Sequence, residues 1–309
     1  MKKIVIALGG NALGNNPKEQ AEAVKVTAKS IVDLIASGNE VIVSHGNGPQ
    51  VGMISLAFDE GMKVNDKIPY MPLALVGAMS QGYIGLQLQQ AIKNEINKRG
   101  LKDNVVTLIT QTEVSADDPS FQKPSKPIGA FYSEADAKKL AASEGWTVAE
   151  DAGRGWRRMV PSPLPINIIE KDIIKELVAK NIVIAGGGGG IPTVIKDGVL
   201  TEIDAVIDKD FTSAKLAELV EADILMIVTV ANGIWKNFGK EDAYKMDEPT
   251  VKELEQLLAD NHFAAGSMEP KVKAAISFVK SGKNRSSCVT SLELTGEALE
   301  GKAGSWIKE

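Results

Sequence analysis

Three times in this chain a short apolar run rich in β-branched residues ends directly in glycine, and that pattern restricts the fold more than any other feature. The runs are Lys3–Leu8 before Gly9-Gly10-Asn11, Glu40–Ser44 before His45-Gly46-Asn47-Gly48, and Ile182–Ala185 before Gly186 to Gly190. Such runs read as buried strands. Helical spacing follows or separates them: Val24, Ala28, Ile31 and Ile35 share one face of Pro17–Ser37, and Pro49–Glu60 and Pro72–Lys98 read as helices. Later segments continue the alternation, with helices at Asp172–Lys180, Lys209–Glu221, Thr250–Ala259 and Pro270–Lys280, and strands at Val105–Thr110, Asp223–Val230 and Ser287–Ser291. A hairpin is expected over Thr193–Leu200, turning at Lys196-Asp197-Gly198. Strand and helix in alternation give an α/β fold with a parallel sheet.

In a parallel sheet all strands point one way, so the three glycine turns gather at one edge, where open α/β proteins bind ligands. Glycine lets a backbone approach a phosphate and aim N–H groups at it, and a following helix adds its positive end. A single such turn is explained well enough by chain geometry. Five consecutive glycines are not, because each costs ~1 kcal/mol of backbone entropy beyond alanine. No Gly-x-x-x-x-Gly-Lys-Ser/Thr occurs, which excludes a P-loop, and Gly46-Asn47-Gly48-Pro49-Gln50-Val51 lacks the third glycine of a dinucleotide fingerprint.

The bulk numbers narrow the class further. At 309 residues the chain suits one large α/β unit or two closely packed lobes, and a net charge of −5 argues against a nucleic-acid binder. Cys288 is the only cysteine and reads as an inert core thiol in a reducing, cytoplasmic setting. The amino terminus is too poor in apolar residues for a signal peptide, and no run suits a membrane span. Six prolines between Pro119 and Pro165 interrupt the alternation, so residues from about 115 to 165 are read as an irregular, lid-like inserted subdomain.

Two lysines stand where they oppose helix stability. Lys209 opens the helix that runs to Glu221, and Lys271 follows Pro270, read as the first helical position. A cation there faces the positive end of the helix dipole at ~0.3–1 kcal/mol, which makes sense if a polyanion lies in front of it. Taken singly, a lysine is ordinarily a solvated charge and Asp210 a helix cap. Lys126, between Pro124 and Pro127, has a stiff backbone suited to a positioned charge or to a linker. His45 reads as a hydrogen-bonded turn residue, and no Cys/His cluster has metal-ligand spacing.

Six ordered segments resemble the signatures of carbamate kinases, members of the amino-acid kinase superfamily. They are Gly9–Leu13, His45–Gly52, Lys126–Gly129, Gly187–Pro192, Val206–Asp210 and Phe263–Met268. The resemblance implies an open three-layer αβα sandwich around a mainly parallel eight-stranded sheet. About residues 1–180 would form a carbamate-binding part and about 181–309 a nucleotide-binding part. It implies reversible phosphoryl transfer between ATP and carbamate, with ATP/ADP carrying Mg²⁺, in homodimers that often make ATP in arginine fermentation.

By the same resemblance Lys126, Lys209 and Lys271 would contact the transferring groups and Asp210 would orient them. Gly9, Gly10, Asn11, Gly46, Asn47, Gly48, Gly187 and Gly188 would hold carbamate and phosphoryl oxygens. Asp208, Lys209, Ala231, Gly233, Trp235, Met268 and Lys271 would meet the nucleotide. Trp235 stands where a tyrosine is common, and Glu269 is placed to compete for the charge of Lys271. Rival readings are a related kinase acting on another acid, a nucleotide-sensing regulator, and a dehydrogenase.

Overall fold

A computed structural model of the chain describes residues 1–9, 13–14, 16–151, 153–239, 241–264 and 266–309. From the amino terminus come β1 (Lys3–Leu8), α1 (Pro17–Ala36), β2 (Glu40–His45), α2 (Gly48–Val64), α3 (Leu73–Lys98), β3 (Asn104–Thr107) and β4 (Gln111–Val114). Next are β5 (Lys126–Tyr132), α4 (Glu134–Glu144), β6 (Thr147–Glu150), β7 (Trp156–Val160), β8 (Pro165–Ile168), α5 (Lys171–Val178), β9 (Asn181–Ile184), β10 (Ile191–Lys196) and β11 (Val199–Glu202). The chain ends with α6 (Lys209–Leu219), β12 (Ile224–Val228), β13 (Ile234–Lys236), β14 (Tyr244–Met246), α7 (Val251–Ala259), α8 (Met268–Lys280), β15 (Ser286–Thr290), α9 (Thr295–Leu299) and β16 (Ser305–Ile307).

The main sheet has the order β16-β15-β12-β1-β2-β9-β3, parallel except for β16. Its strands alternate between two cores. Val5 and Ala7 of β1 face one side, with Ala214, Leu216 and Ala217 of α6 and Ala275 and Phe278 of α8. Ile4, Ile6 and Leu8 face the other, with Ala28 and Ile31 of α1 and Leu88 and Ile92 of α3. Buried apolar runs on both faces are what a parallel sheet between two helical layers requires. Cys288 lies fully buried on β15, where burial pushes its thiol up to about 12, as an inert core residue should be.

The main sheet therefore has seven strands among the described residues, not the expected eight. After Thr107 the chain leaves it, and β4 joins a separate four-stranded sheet of order β11-β10-β4-β8. The expected hairpin is β10–β11, with Asp197 (φ 52°) and Gly198 (φ 78°) at its turn.

The stretch read as irregular is instead regular. The chain leaves the second sheet at Val114 and rejoins it at Pro165. Between them β5, β7 and β6 form an antiparallel sheet with α4. Its prolines mislead because they sit where prolines are tolerated: Pro127 is on edge strand β5 and Pro165 on edge strand β8. Among the described residues no helix is long and apolar enough to cross a membrane.

Candidate active site

Strands β1, β2 and β9 are neighbours and parallel, so their glycine ends meet. Gly46 N donates to Leu8 O at 3.1 Å and Gly9 N to Val228 O at 3.1 Å. Gly10 and Asn11 lie outside the described residues. Side chain positions explain the five-glycine run better than chain geometry alone. A β-carbon on Gly188 (φ 65°) would stand 2.0 Å from Asn47 Nδ2, and one on Gly189 (φ 92°) 2.1 Å from Ile207 O. The run thus lets three loops close on one another, and Gly188 and Gly190 still line a cleft of about 760 Å³.

A buried polar network, invisible at the level of motifs, holds that run. Gly189 O accepts from Thr112 Oγ1 at 3.0 Å and Thr212 Oγ1 at 2.8 Å, and Gly186 N donates to Thr110 Oγ1 at 2.9 Å. Gln81 pairs with both backbone groups of Thr110, at 2.7 and 3.1 Å. Asn47 Nδ2 donates to Ser80 Oγ at 2.8 Å, so α3 steadies the turn after β2. Their signal in the sequence is only the presence of polar residues among otherwise apolar buried positions, on helices for Ser80, Gln81 and Thr212 and in or beside β4 for Thr110 and Thr112.

Lys209 lies against that turn: a β-carbon on Gly46 would be 3.7 Å from its Cδ. Its ammonium pairs with Asp210 Oδ1, and Lys271 Nζ donates to Asp210 Oδ2 at 3.0 Å. One carboxylate, only 2% exposed, thus takes both lysines, one on each oxygen. Burial opposes the ionisation of Asp210, but the two ammonium groups prevail and hold its carboxyl below the usual range. Burial also pulls Lys209 below the ordinary lysine value, against the attraction of Asp210.

Asp210 is not the helix cap. Asp208 caps α6, accepting from Asp210 N at 3.0 Å through Oδ1, while its Oδ2 accepts from Lys126 Nζ at 2.6 Å. Lys126 therefore reaches the start of α6 from the three-stranded sheet. In α8 the helix begins at Met268, not Pro270, so Lys271 closes the first turn. Glu269 does not compete for Lys271; its carboxylate pairs with Lys273 one turn along the helix. The amino termini of α2 and α8 carry no side-chain cap, although in α8 Glu269 N donates to Ala264 O at 3.2 Å.

His45 is buried, and Nδ1 donates to Gly46 O at 2.9 Å, since a carbonyl can only accept. Burial lowers its value to about 4, with the Gly46 bond opposing and the charge of Lys209 assisting, so the ring is neutral. Its folded value lies below the usual 6.5. The unfolded chain therefore binds the extra proton first, and stability falls as pH drops from about 6.5 toward 4. Urea melts at neutral pH and near pH 4 should differ by a loss on the order of 3 kcal/mol from this group, absent from His45→Gln.

On the expected nucleotide side the sites are spread more widely. Ala231 and Gly233 follow β12 at the edge where β1 and β2 also end, and Met268 sits one turn before Lys271. Trp235 faces Lys245 across the β13–β14 hairpin, its ring 6.4 Å from Phe238. Among the described residues no hydrogen bond or ion pair joins Ala231, Gly233 or Trp235 to the lysine cluster.

Two lysines share one buried carboxylate beside the glycine turns, an arrangement of positive charge and backbone that suits an anion. The family model described as the amino acid kinase family matches residues 2–291. The chain belongs to the amino acid kinase family. It is 50% identical over 307 residues to a carbamate kinase-like protein of Escherichia coli K12, covering 99% of each. It is also 50% identical over 310 residues to a carbamate kinase of Staphylococcus haemolyticus, covering all of both. A solved structure of carbamate kinase from Giardia lamblia bound to AMP-PNP superposes with a TM-score of 0.93 at 42% identity, covering 99% of this chain and 98% of that one.

Proposed function

We propose that the chain is a carbamate kinase, catalysing ATP + carbamate = ADP + carbamoyl phosphate. The observation that carries this reading is Asp210 holding Lys209 and Lys271 on its two oxygens beside the Gly46 turn. Full-length relatives named for this activity support it. A carbamate oxygen attacks the γ-phosphorus in line. The new O–P bond forms as the bond to the β,γ-bridging oxygen breaks, and ADP leaves with that electron pair. The nucleophile is already an anion, so no general base is needed, and positioning and charge stabilisation dominate.

Lys209 and Lys271 then neutralise charge on the equatorial and bridging oxygens, and Lys126 turns from Asp208 to the substrate. Gly9, Gly10, Asn11, Gly46, Asn47, Gly48, Gly187 and Gly188 supply backbone and amide donors to the same oxygens. Residues from about 1 to 180 hold carbamate and those from about 181 to 309 the nucleotide, with Asp208, Ala231, Gly233, Trp235 and Met268 beside it. Residues from about 115 to 165 serve as the lid, a role supported by Lys126, Phe131 and Arg157 lining the same cleft as Gly46 and Lys209.

Among the described residues no three His, Cys, Asp or Glu side chains gather to hold a metal, and Asp208 and Asp210 already accept from lysines. Mg²⁺ would arrive on the nucleotide phosphates, which need few protein ligands. The reaction fits ATP synthesis in arginine fermentation in the cytoplasm. A coupled assay for ATP from ADP and carbamoyl phosphate tests the reading. No turnover there, with turnover of an acetylated amino acid instead, would replace it with another acid kinase.

A homodimer belongs to the same proposal. From Leu73 to Ile92, α3 carries no charged residue, yet Leu75, Met79 and Leu86 are 46%, 40% and 56% exposed along one stripe. An uncharged apolar stripe is poorly suited to water and well suited to a second copy. Met79→Glu with Leu86→Glu should convert the dimer to monomer in light scattering after size exclusion; an unchanged mass would refute that seat.

A further inference from the structure

We propose that Arg157 is a positioning residue for Lys126: its guanidinium clamps a bulge in β5 and so fixes where the Lys126 ammonium enters the cleft. This rests on the reading of Lys126 as a group that contacts the reacting oxygens. Strands β5 and β7 pair Lys126 with Val160, Pro127 with Met159 and Ile128 with Arg158, and then Tyr132 with Trp156. Between those pairs, Gly129, Ala130 and Phe131 stand against the single residue Arg157. Three residues against one leave the edge strand without a ladder at that point.

Arg157 supplies what the ladder lacks. Its Nη2 donates to Gly129 O at 3.0 Å, and its guanidinium carbon lies 4.9 Å from the centre of the Phe131 ring. Both ends of the bulge are therefore held by one planar group. Nη1 pairs with Asp151 at 3.0 Å, which fixes the guanidinium in turn. The hydrogen bond from Arg157 is the largest influence holding the Asp151 carboxyl below its usual range.

Gly129 has φ 71°, a left-handed turn that re-aims the strand three residues after Lys126. Arg154 makes a useful contrast. It also stacks on Phe131, at 5.1 Å, and pairs with Asp151, but its side chain is 62% exposed and it bonds no backbone of β5. Arg157 is only 19% exposed, and its hydrogen bonds and ion pair go to Gly129 and Asp151 and not to Asp208. It also lines the cleft, so the route assigned to it through β5 is distinguished from direct contact with substrate by its dependence on Lys126. A lysine cannot replace the fork, because one ammonium cannot meet Asp151 and Gly129 while stacking on a ring.

The competing account is that Arg157 only stabilises the three-stranded sheet. A double-mutant cycle in ATP formation from ADP and carbamoyl phosphate separates the two. Arg157→Lys should lower kcat at least tenfold, with KM for ADP within twofold and a melting temperature near that of the unaltered protein. The loss should vanish in a Lys126→Ala background, where there is no ammonium left to misplace. Undiminished kcat in Arg157→Lys, or losses that multiply in the double variant, would overturn the inference alone. Normal turnover by Lys126→Ala would overturn the reading of Lys126 and this inference with it.

Gly129→Ala provides a second route if Arg157→Lys folds poorly. A β-carbon there meets nothing within 4 Å, so the change strains the left-handed backbone without a clash. It should show the same loss of kcat and the same dependence on Lys126; full activity would count against the proposal.

Discussion

Alanine at Lys209 or at Lys271 is expected to lower kcat by roughly 10²–10³, the usual loss for one stabiliser of transition-state charge. Both ammonium groups are held by Asp210, and Lys209 lies against the Gly46 turn, so they are placed before substrate arrives. An interaction made chiefly in the transition state lowers kcat and kcat/KM together. Steady-state kinetics in the ATP-forming direction should therefore show the fall in kcat with little change in KM for carbamoyl phosphate. Near-normal kcat in both variants would remove these lysines from the chemistry.

Asp210→Asn should damage both stability and rate. The change leaves two partly buried ammonium groups without their counter-charge, and breaking a buried pair from one side typically costs ~3–5 kcal/mol. Calorimetry should show a melting temperature several degrees lower, and added phosphate should recover more of it than in the unaltered protein. The pH dependence has a definite sign. The Asp210 carboxyl sits below its ordinary 3.8 in the fold, so its contribution is present above that value and lost as pH falls through the depressed one. On the alkaline side, Lys209 already loses its proton below the usual 10.5. Activity that needs its charge should decline there, and earlier still in Asp210→Asn, because Asp210 helps keep Lys209 protonated.

The sheet and the convergence of its glycine ends were readable because both follow from local patterns. Buried β-branched runs, helical spacing and the rule that parallel strands end together bring Gly9, Gly46 and Gly186 to Gly190 to one edge. Lys209 was readable because it violates a helix-dipole preference. The partners were not, since pairing depends on elements far apart in the chain. Capping rules alone left Asp210 as a candidate cap, whereas Asp208 performs that task and frees Asp210 to bridge two lysines. The strands between Pro119 and Pro165 were hidden because proline was weighed as a breaker, and an edge strand such as β5 needs no donor on its outer side. Trp235 faces Lys245 across a hairpin whose strands are three residues each, too short for periodicity to reveal.

A crystal structure with ADP, Mg²⁺, aluminium fluoride and carbamate measures the central geometry most directly. The fluoride group, standing in for the phosphoryl in flight, should lie within hydrogen-bond distance of Lys209 Nζ and Lys271 Nζ and of the backbone after β2. A fluoride group seated away from both ammonium groups would contradict the account.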